Sequence, residues 1–362
     1  MSEIFFFIGT EAELIKVFPV MLELKRRGRK YHIIASGQND ITKSVIFQKT
    51  DCGNVDLKLS DEKDIKKSAA GLLSWWIKTY RSAASIIRKE FPEAVNSNSY
   101  MIVHGDTVST YMGARIGRSL GMTVCHVEAG LRSHNIFNPF PEEIDRKLTS
   151  SIARLHFAPG EQALSNLQAV KGKAVSTGQN TLLDSLKVSE QIAACEEISH
   201  ILSEEKPYFV FVMHRQENVA NEKLFRAAVM NALQISSEYK CVFILHSITR
   251  NALERLGLMD KVENSPNVIL LSRVDYFSFM KLLKGSEFVI TDGGSNQEEL
   301  FYMGKPTLIM RKTTERNEGL GENAKLYSDV DEIISFAHEY RNYIRHTDLS
   351  GTPSSVIADC LE

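Results

Sequence analysis

Two sets of residues in this sequence could share a reaction: carboxylates that follow apolar runs, and basic or glycine-rich groups that follow others. Asp106, Glu128, Glu142 and Glu143 form the first set. Glu128 directly ends an apolar run, and burial there would raise its pKa toward the range useful for general acid or base work. Glu142 and Glu143 follow the stiff turn Pro139-Phe140-Pro141 and enter a helix, where favourable charge in a first turn is the plainer account. His214-Arg215 offers a proton donor and a fork for phosphate oxygens, unless it is a surface loop bridged by Glu217. His246 carries the same ambiguity. Asp292-Gly293-Gly294-Ser295 follows another run and opens a helix. Its backbone N–H groups suit phosphate, and a tight turn capped by Asp292 or Ser295 competes with that reading. Glu298 and Glu299 could accept a ribose diol or simply favour the helix end. For Arg311, Glu315, Arg316 and Glu318 a charged, solvated loop is the bland account. No H-E-x-x-H or paired C-x-x-C spacing occurs, nor a G-x-S-x-G elbow, Walker A loop or G-x-G-x-x-G fingerprint.

Ten short runs rich in β-branched and aromatic residues must place these groups: 4–9, 31–36, 100–105, 123–128, 155–160, 208–213, 241–246, 267–270, 288–291 and 306–310. Each is continuous rather than alternating, as in parallel strands covered on both faces. Helical periods such as 14–28 and 110–121 lie between them, with Gly28 and Gly121 where helix C-caps belong. The pattern predicts βαβ units in open parallel sheets, and about ten strands suit two α/β domains better than one sheet. The boundary is expected in the polar stretch 169–180, followed by a mostly exposed helix over 187–207. Ligands bind beyond the carboxyl ends of such strands, which is where Gly9–Glu13, Gly105-Asp106, Glu128, His214-Arg215 and Asp292-Gly293 fall.

The chain has 362 residues, with 43 Lys and Arg against 45 Asp and Glu, a net charge of −2. That balance argues against a coat for nucleic acid or an anionic membrane, and leaves room for one small anionic ligand. Five widely spaced cysteines suggest reduced cytosolic thiols, and the N-terminal apolar run is too short for a signal peptide or a span. The expectation is a cytoplasmic protein with no nucleic-acid or membrane partner.

Seven blocks together resemble one family: VHGDTVST (103–110), HVEAGLR (126–132), PFPEEIDR (139–146), LHFAP (155–159), MHRQENV (213–219), TDGGSNQEE (291–299) and TERNE (314–318). Their order and spacing are similar to those of the non-hydrolysing UDP-N-acetylglucosamine 2-epimerases. HVEAGLR followed by PFPEE is the specific part. The resemblance implies two Rossmann-like domains facing a cleft, the GT-B fold. Their expected extents are 1–170 and 171–339, with a C-terminal helix in 340–362 packing back onto the first. It implies interconversion of UDP-GlcNAc and UDP-ManNAc by elimination and re-addition of UDP, with no metal or redox cofactor, in surface-polysaccharide precursor synthesis. Asp106, Glu128 and Glu142 match the family's catalytic carboxylates, and His214 the histidine near the leaving diphosphate. Gly293, Gly294 and Ser295 match the phosphate loop and Glu299 the ribose-diol carboxylate. Lys16, Arg146, Arg215, His246 and Arg316 match basic groups around the substrate, and Tyr276 or Phe279 the aromatic beside the uracil. Family members are commonly homodimers, and no interface is legible in the sequence.

The sequence also departs from the family pattern. The first loop reads Gly9-Thr10-Glu11-Ala12-Glu13 where the family has Gly-Thr-Arg-Pro-Glu, so an acid replaces a base that reaches toward the diphosphate. At ~4 Å and an effective dielectric of 20, that sign reversal concerns an interaction of ~4 kcal/mol, so Glu11 must turn away, pair with a Lys, or meet a different ligand. Gly293-Gly294-Ser295 replaces Ser-Gly-Gly, and Gln38-Asn39-Asp40 replaces a Gln-His-Arg block of the activating second substrate site, which counts against that activation here. His246-Ser247-Ile248-Thr249 drifts from His-x-Asn-Pro. A GT-B glycosyltransferase, and a sugar-nucleotide-binding protein that has lost turnover, are the alternative readings; a hydrolysing relative fits HVEAGLR less well.

Overall fold

In the computed structural model, residues 2–65, 68–133, 141–293, 296–312 and 318–361 are described. The chain forms two compact units, Met1–Val188 with Ser350–Glu362, and Ser189–Leu349. The first holds a seven-stranded parallel sheet of β1 (Ile4–Ile8), β2 (His32–Ala35), β3 (Leu57–Lys58), β4 (Tyr100–His104), β5 (Thr123–Val127), β6 (Leu155–Ala158) and β7 (Lys173–Ser176), in the order 3-2-1-4-5-6-7. The second holds a six-stranded parallel sheet of β8 (Tyr208–Val212), β9 (Lys240–Ile244), β10 (Val268–Leu271), β11 (Val289–Thr291), β12 (Thr307–Ile309) and β13 (Ala324–Leu326), in the order 10-9-8-11-12-13. All ten runs found in the sequence contain strands. The first sheet continues past residue 170, where the sequence placed a boundary: the polar stretch 169–180 contains β7, paired with β6 from Leu155↔Lys173 to Ala158↔Ser176. The segment 187–207 is not one helix. It holds the end of Leu182–Gln191 and a separate helix, Glu196–Ser203.

β1 and β8 are buried at every residue, as the continuous apolar runs require. Phe5, Phe7, Met101 and Val103 pack with Met112 and Ile116 in the first core. Phe209, Phe211, Phe243 and Phe288 do so in the second. Each fully buried side chain of this size contributes roughly 1.5–3 kcal/mol.

Two helices set the edge where the candidate residues lie. Glu11–Arg26 starts in a reciprocal capping box between Thr10 and Glu13. Val108–Ser119 is capped by Thr107, which accepts from the N–H groups of Ser109 and Thr110. Gly28 (φ 72°) and Gly121 (φ 80°) follow these helices in the left-handed conformation that ends them. Gly113 lets the second helix lie against β1, because a Cβ there would come within 2.6 Å of the Phe7 ring. The terminal helix Pro353–Asp359 belongs to the first unit, where Arg27 pairs with Asp359 at 2.5 Å and donates to Ser355 Oγ at 2.7 Å. Among the described residues no helix is long and apolar enough to cross a membrane, and all five cysteines are free thiols.

Candidate active site

In the first unit the carboxylates gather beyond the carboxyl ends of β1, β4 and β5. Glu128, immediately after β5, has φ 63°, the one positive φ among the described residues other than glycine. Its side chain is buried, and one oxygen accepts from both Lys16 Nζ and Asn180 Nδ2, with His104 Nε2 3.6 Å away. The Asn180 amide cannot be turned round, since its Oδ1 accepts the Leu182 N–H at 3.1 Å and the Thr181 hydroxyl at 3.4 Å. Asn180 and His104 were missed in the sequence. Their sole signal is proximity to strand ends, and only the fold brings the loop after β7 to Glu128.

A second group lies on the loop after β4 and on the helix Glu142–Ile152. Arg146 pairs with Asp106 and lies 3.6 Å from Glu143. Glu143 is wholly buried and accepts the Ser133 N–H at 3.1 Å. It is a structural anchor as much as a first-turn charge. Glu142, half-buried, turns one carboxylate oxygen inward with no hydrogen-bond partner among the described residues, which the first-turn account does not explain. Asp145, also missed in the sequence, is buried beside them.

The first loop resolves the question of Glu11. Its carboxylate accepts the Ser44 hydroxyl at 2.6 Å. Glu13 is the buried acid of this loop: it accepts the Gly9 N–H at 2.5 Å and the Thr107 hydroxyl, tying the two helix starts together. Burial pushes its pKa up, against the pull of those hydrogen bonds. Asp40 caps the turn at Ile41–Lys43 and lies 3.5 Å from Lys58.

In the second unit the organising residue is Asp292. It does not make the helix cap that was one alternative for it: the helix Gln297–Tyr302 is preceded by Asn296, without a side-chain cap. Asp292 instead reaches across the sheet edge, accepting the His214 N–H at 3.0 Å, the Arg215 N–H at 2.9 Å and Asn218 Nδ2 at 3.2 Å. Its Oδ1 also faces His214 Nδ1 at 3.3 Å. His214 stacks on His246, ring centroids 4.5 Å apart, so these two residues do come together. Burial, with the nearby His214 and Arg273, pushes the His246 pKa down. Arg215 pairs with Glu217 at 3.1 Å, as the surface-loop reading required. Gly293 donates its N–H to Thr291 Oγ1 at 3.0 Å. Tyr276 buries a hydroxyl that has no hydrogen-bond partner among the described residues; burial, then Glu299 and Glu298, hold its pKa well above the ordinary value. Phe279 lies half-buried one turn along the same helix. Gly294, Ser295 and Arg316 fall outside the described residues.

The first unit thus gathers carboxylates held by side chains, and the second a stacked histidine pair over an aspartate held largely by backbone N–H groups. A sequence profile described as UDP-N-acetylglucosamine 2-epimerase matches residues 22–346. A protein of that name from Methanococcus maripaludis is 30% identical over 359 residues, spanning 96% of this chain and 93% of the relative. One from Bacillus subtilis is 31% identical over 335 residues, spanning 90% and 82%. Among solved structures, the UDP-GlcNAc 2-epimerase of Methanocaldococcus jannaschii superposes with a TM-score of 0.81 at 27% identity, over 99% of both chains. That of Neisseria meningitidis bound to UDP-GlcNAc gives 0.79 at 26% identity, over 100% and 99%.

Proposed function

The chain belongs to the UDP-N-acetylglucosamine 2-epimerase family, and from that premise we propose that it interconverts UDP-GlcNAc and UDP-ManNAc by eliminating UDP and adding it back. The observation that carries this reading is the buried Glu128, held by Lys16 and Asn180 beside the Asp106–Arg146 pair. A base takes the C2 proton, the electron pair of that C–H bond forms a C1–C2 double bond, and the C1–O bond breaks toward UDP. Return of a proton to the other face of C2, with UDP re-adding at C1, inverts the centre. Asp106, Glu128 and Glu142 supply the base and the acid, and Lys16 and Arg146 hold Glu128 and Asp106 in place. His214, oriented by Asp292, stabilises the departing diphosphate together with Arg215, His246, Arg316 and the loop of Gly293, Gly294 and Ser295. Glu299 takes the ribose diol, and Tyr276 or Phe279 lies beside the uracil.

The test is incubation with UDP-GlcNAc in D₂O. Deuterium at C2 and a second sugar nucleotide support the reading. Their absence, or nucleotide release only when a sugar acceptor is added, overturns it in favour of a binding protein or a glycosyltransferase.

The five free thiols support a cytoplasmic location. A homodimer is supported by the outer face of the helix Ala69–Glu90, where Leu73 and Ile77 are exposed. Beside them Trp76 stacks on Tyr80 and Tyr111. Sedimentation of the wild type against L73E/I77E checks it.

A further inference from the structure

Asp145 has no part in the assignments above. It lies three residues after Glu142, on the same face of the helix Glu142–Ile152. It is 7% exposed, and its Oδ2 is buried without a hydrogen-bond partner among the described residues. The cations of the cluster are committed elsewhere. Arg146 serves Asp106 and Glu143, and Lys147 lies 3.9 Å from Glu143. Arg132 feels Glu143 and Arg146. The helix Val108–Ser119, packed against this one, offers no counter-charge: Arg115 is stacked over Tyr80, and Arg118 is exposed. From β5, Glu128 is already bound by Lys16 and Asn180. Asp145 therefore faces two acids, Asp106 and Glu142, and among the described residues no ion pair reaches it.

Four carboxylates cannot all stay ionised in such a place without cost, and the least compensated one keeps its proton. Burial above all, then Asp106 and Glu142, push the Asp145 pKa up to about 7.

We propose that Asp145 is a positioning residue that stores the proton of this cluster at neutral pH, and that its neutrality spares Asp106 and Glu142 a further negative charge beside them. The proposal rests on the reading that Asp106 and Glu142 serve the epimerisation. When Asp145 loses its proton, another negative charge appears beside two working acids and an anionic substrate. The proton leaves to solvent, and the added charge weakens binding of the anionic substrate.

The experiment follows C2 deuterium exchange from UDP-GlcNAc between pH 6 and 9 in the wild type, D145N, D106N and E142Q. The wild-type kcat/KM should fall about tenfold per pH unit above about 7. In D145N, whose amide cannot ionise, the ratio of activity at pH 8.5 to that at pH 6.5 should rise about tenfold or more over the wild-type ratio. An unchanged profile in D145N, with D106N and E142Q inactive, overturns the proposal alone. Full exchange by D106N and E142Q overturns the reading beneath it. A second measurement needs no variant: NMR of wild type labelled with ¹³C at the aspartate carboxyls should show one aspartate titrating near pH 7, and titration of every aspartate below pH 5 overturns the proposal.

Discussion

The two units hold their acids in opposite ways. Glu128 and Asp106 are held by side chains, a lysine, an amide and an arginine, each of which can move or be replaced. Asp292 is held by two backbone N–H groups and a buried asparagine amide, which are fixed by the chain itself. Side-chain partners can swing away from a carboxylate, whereas backbone donors stay where the chain puts them. The first unit's acids can change partners, and the second unit's aspartate keeps a fixed shape around His214 and Arg215.

Substitutions can break that contrast. The largest effect is expected at Glu128: E128Q keeps the size and loses the charge, and C2 exchange should fall about 10²–10⁴-fold while thermal stability changes little. Exchange within threefold of wild type would remove Glu128 from the chemistry. Next comes the pH dependence of stability through Asp145. Its pKa is raised from an ordinary 3.8 to about 7, so its contribution is present below pH 4 and is lost as the pH climbs to about 7, by up to ~4 kcal/mol. Urea unfolding across pH 4–8 should therefore show wild type losing ground to D145N as the pH rises; a constant difference would contradict it. D292A leaves three N–H donors without their acceptor and should cost ~3 kcal/mol of stability along with rate. If D292A melts like wild type, the locked half of the contrast fails. N180A should slow exchange by roughly tenfold, and N180D more, because it sets a like charge against Glu128. The smallest change is expected for E11Q, within ~1 kcal/mol in stability, since a glutamine can still accept the Ser44 hydroxyl.

The same difference governs what could be read without a structure. Buried central strands announced themselves as apolar runs. The three that did not, β3, β7 and β13, are two to four residues long, mostly half-exposed, and lie at sheet edges, so their sequences carry no continuous apolar signal. Glu128 was legible because it ends a strand. Asp145 was not, since its environment is made by Asp106 from another element and by where Arg146 points. Asp292 was visible as a residue but its partners were not, because local sequence points to the nearest N–H groups and the fold supplied others 77 and 78 residues away. Glu11 stood out as an acid in place of a base, and only the packing of 41–49 beside it reveals Ser44 as its partner.

The left-handed backbone at Glu128 has a further consequence for how this protein can change. Gly130 follows at φ 87°, with a Cβ there only 2.1 Å from the Ala163 carbonyl oxygen. The turn therefore cannot relax by trading its glycine, and the conformational penalty of ~1–2 kcal/mol stays at residue 128. Asparagine, aspartate and glycine are the residues that accept that backbone readily, and none reaches as far as glutamate does. Replacements that relieve the backbone at this position are therefore ready to hand, and each one withdraws the carboxylate from Lys16 and Asn180 as it relieves the chain.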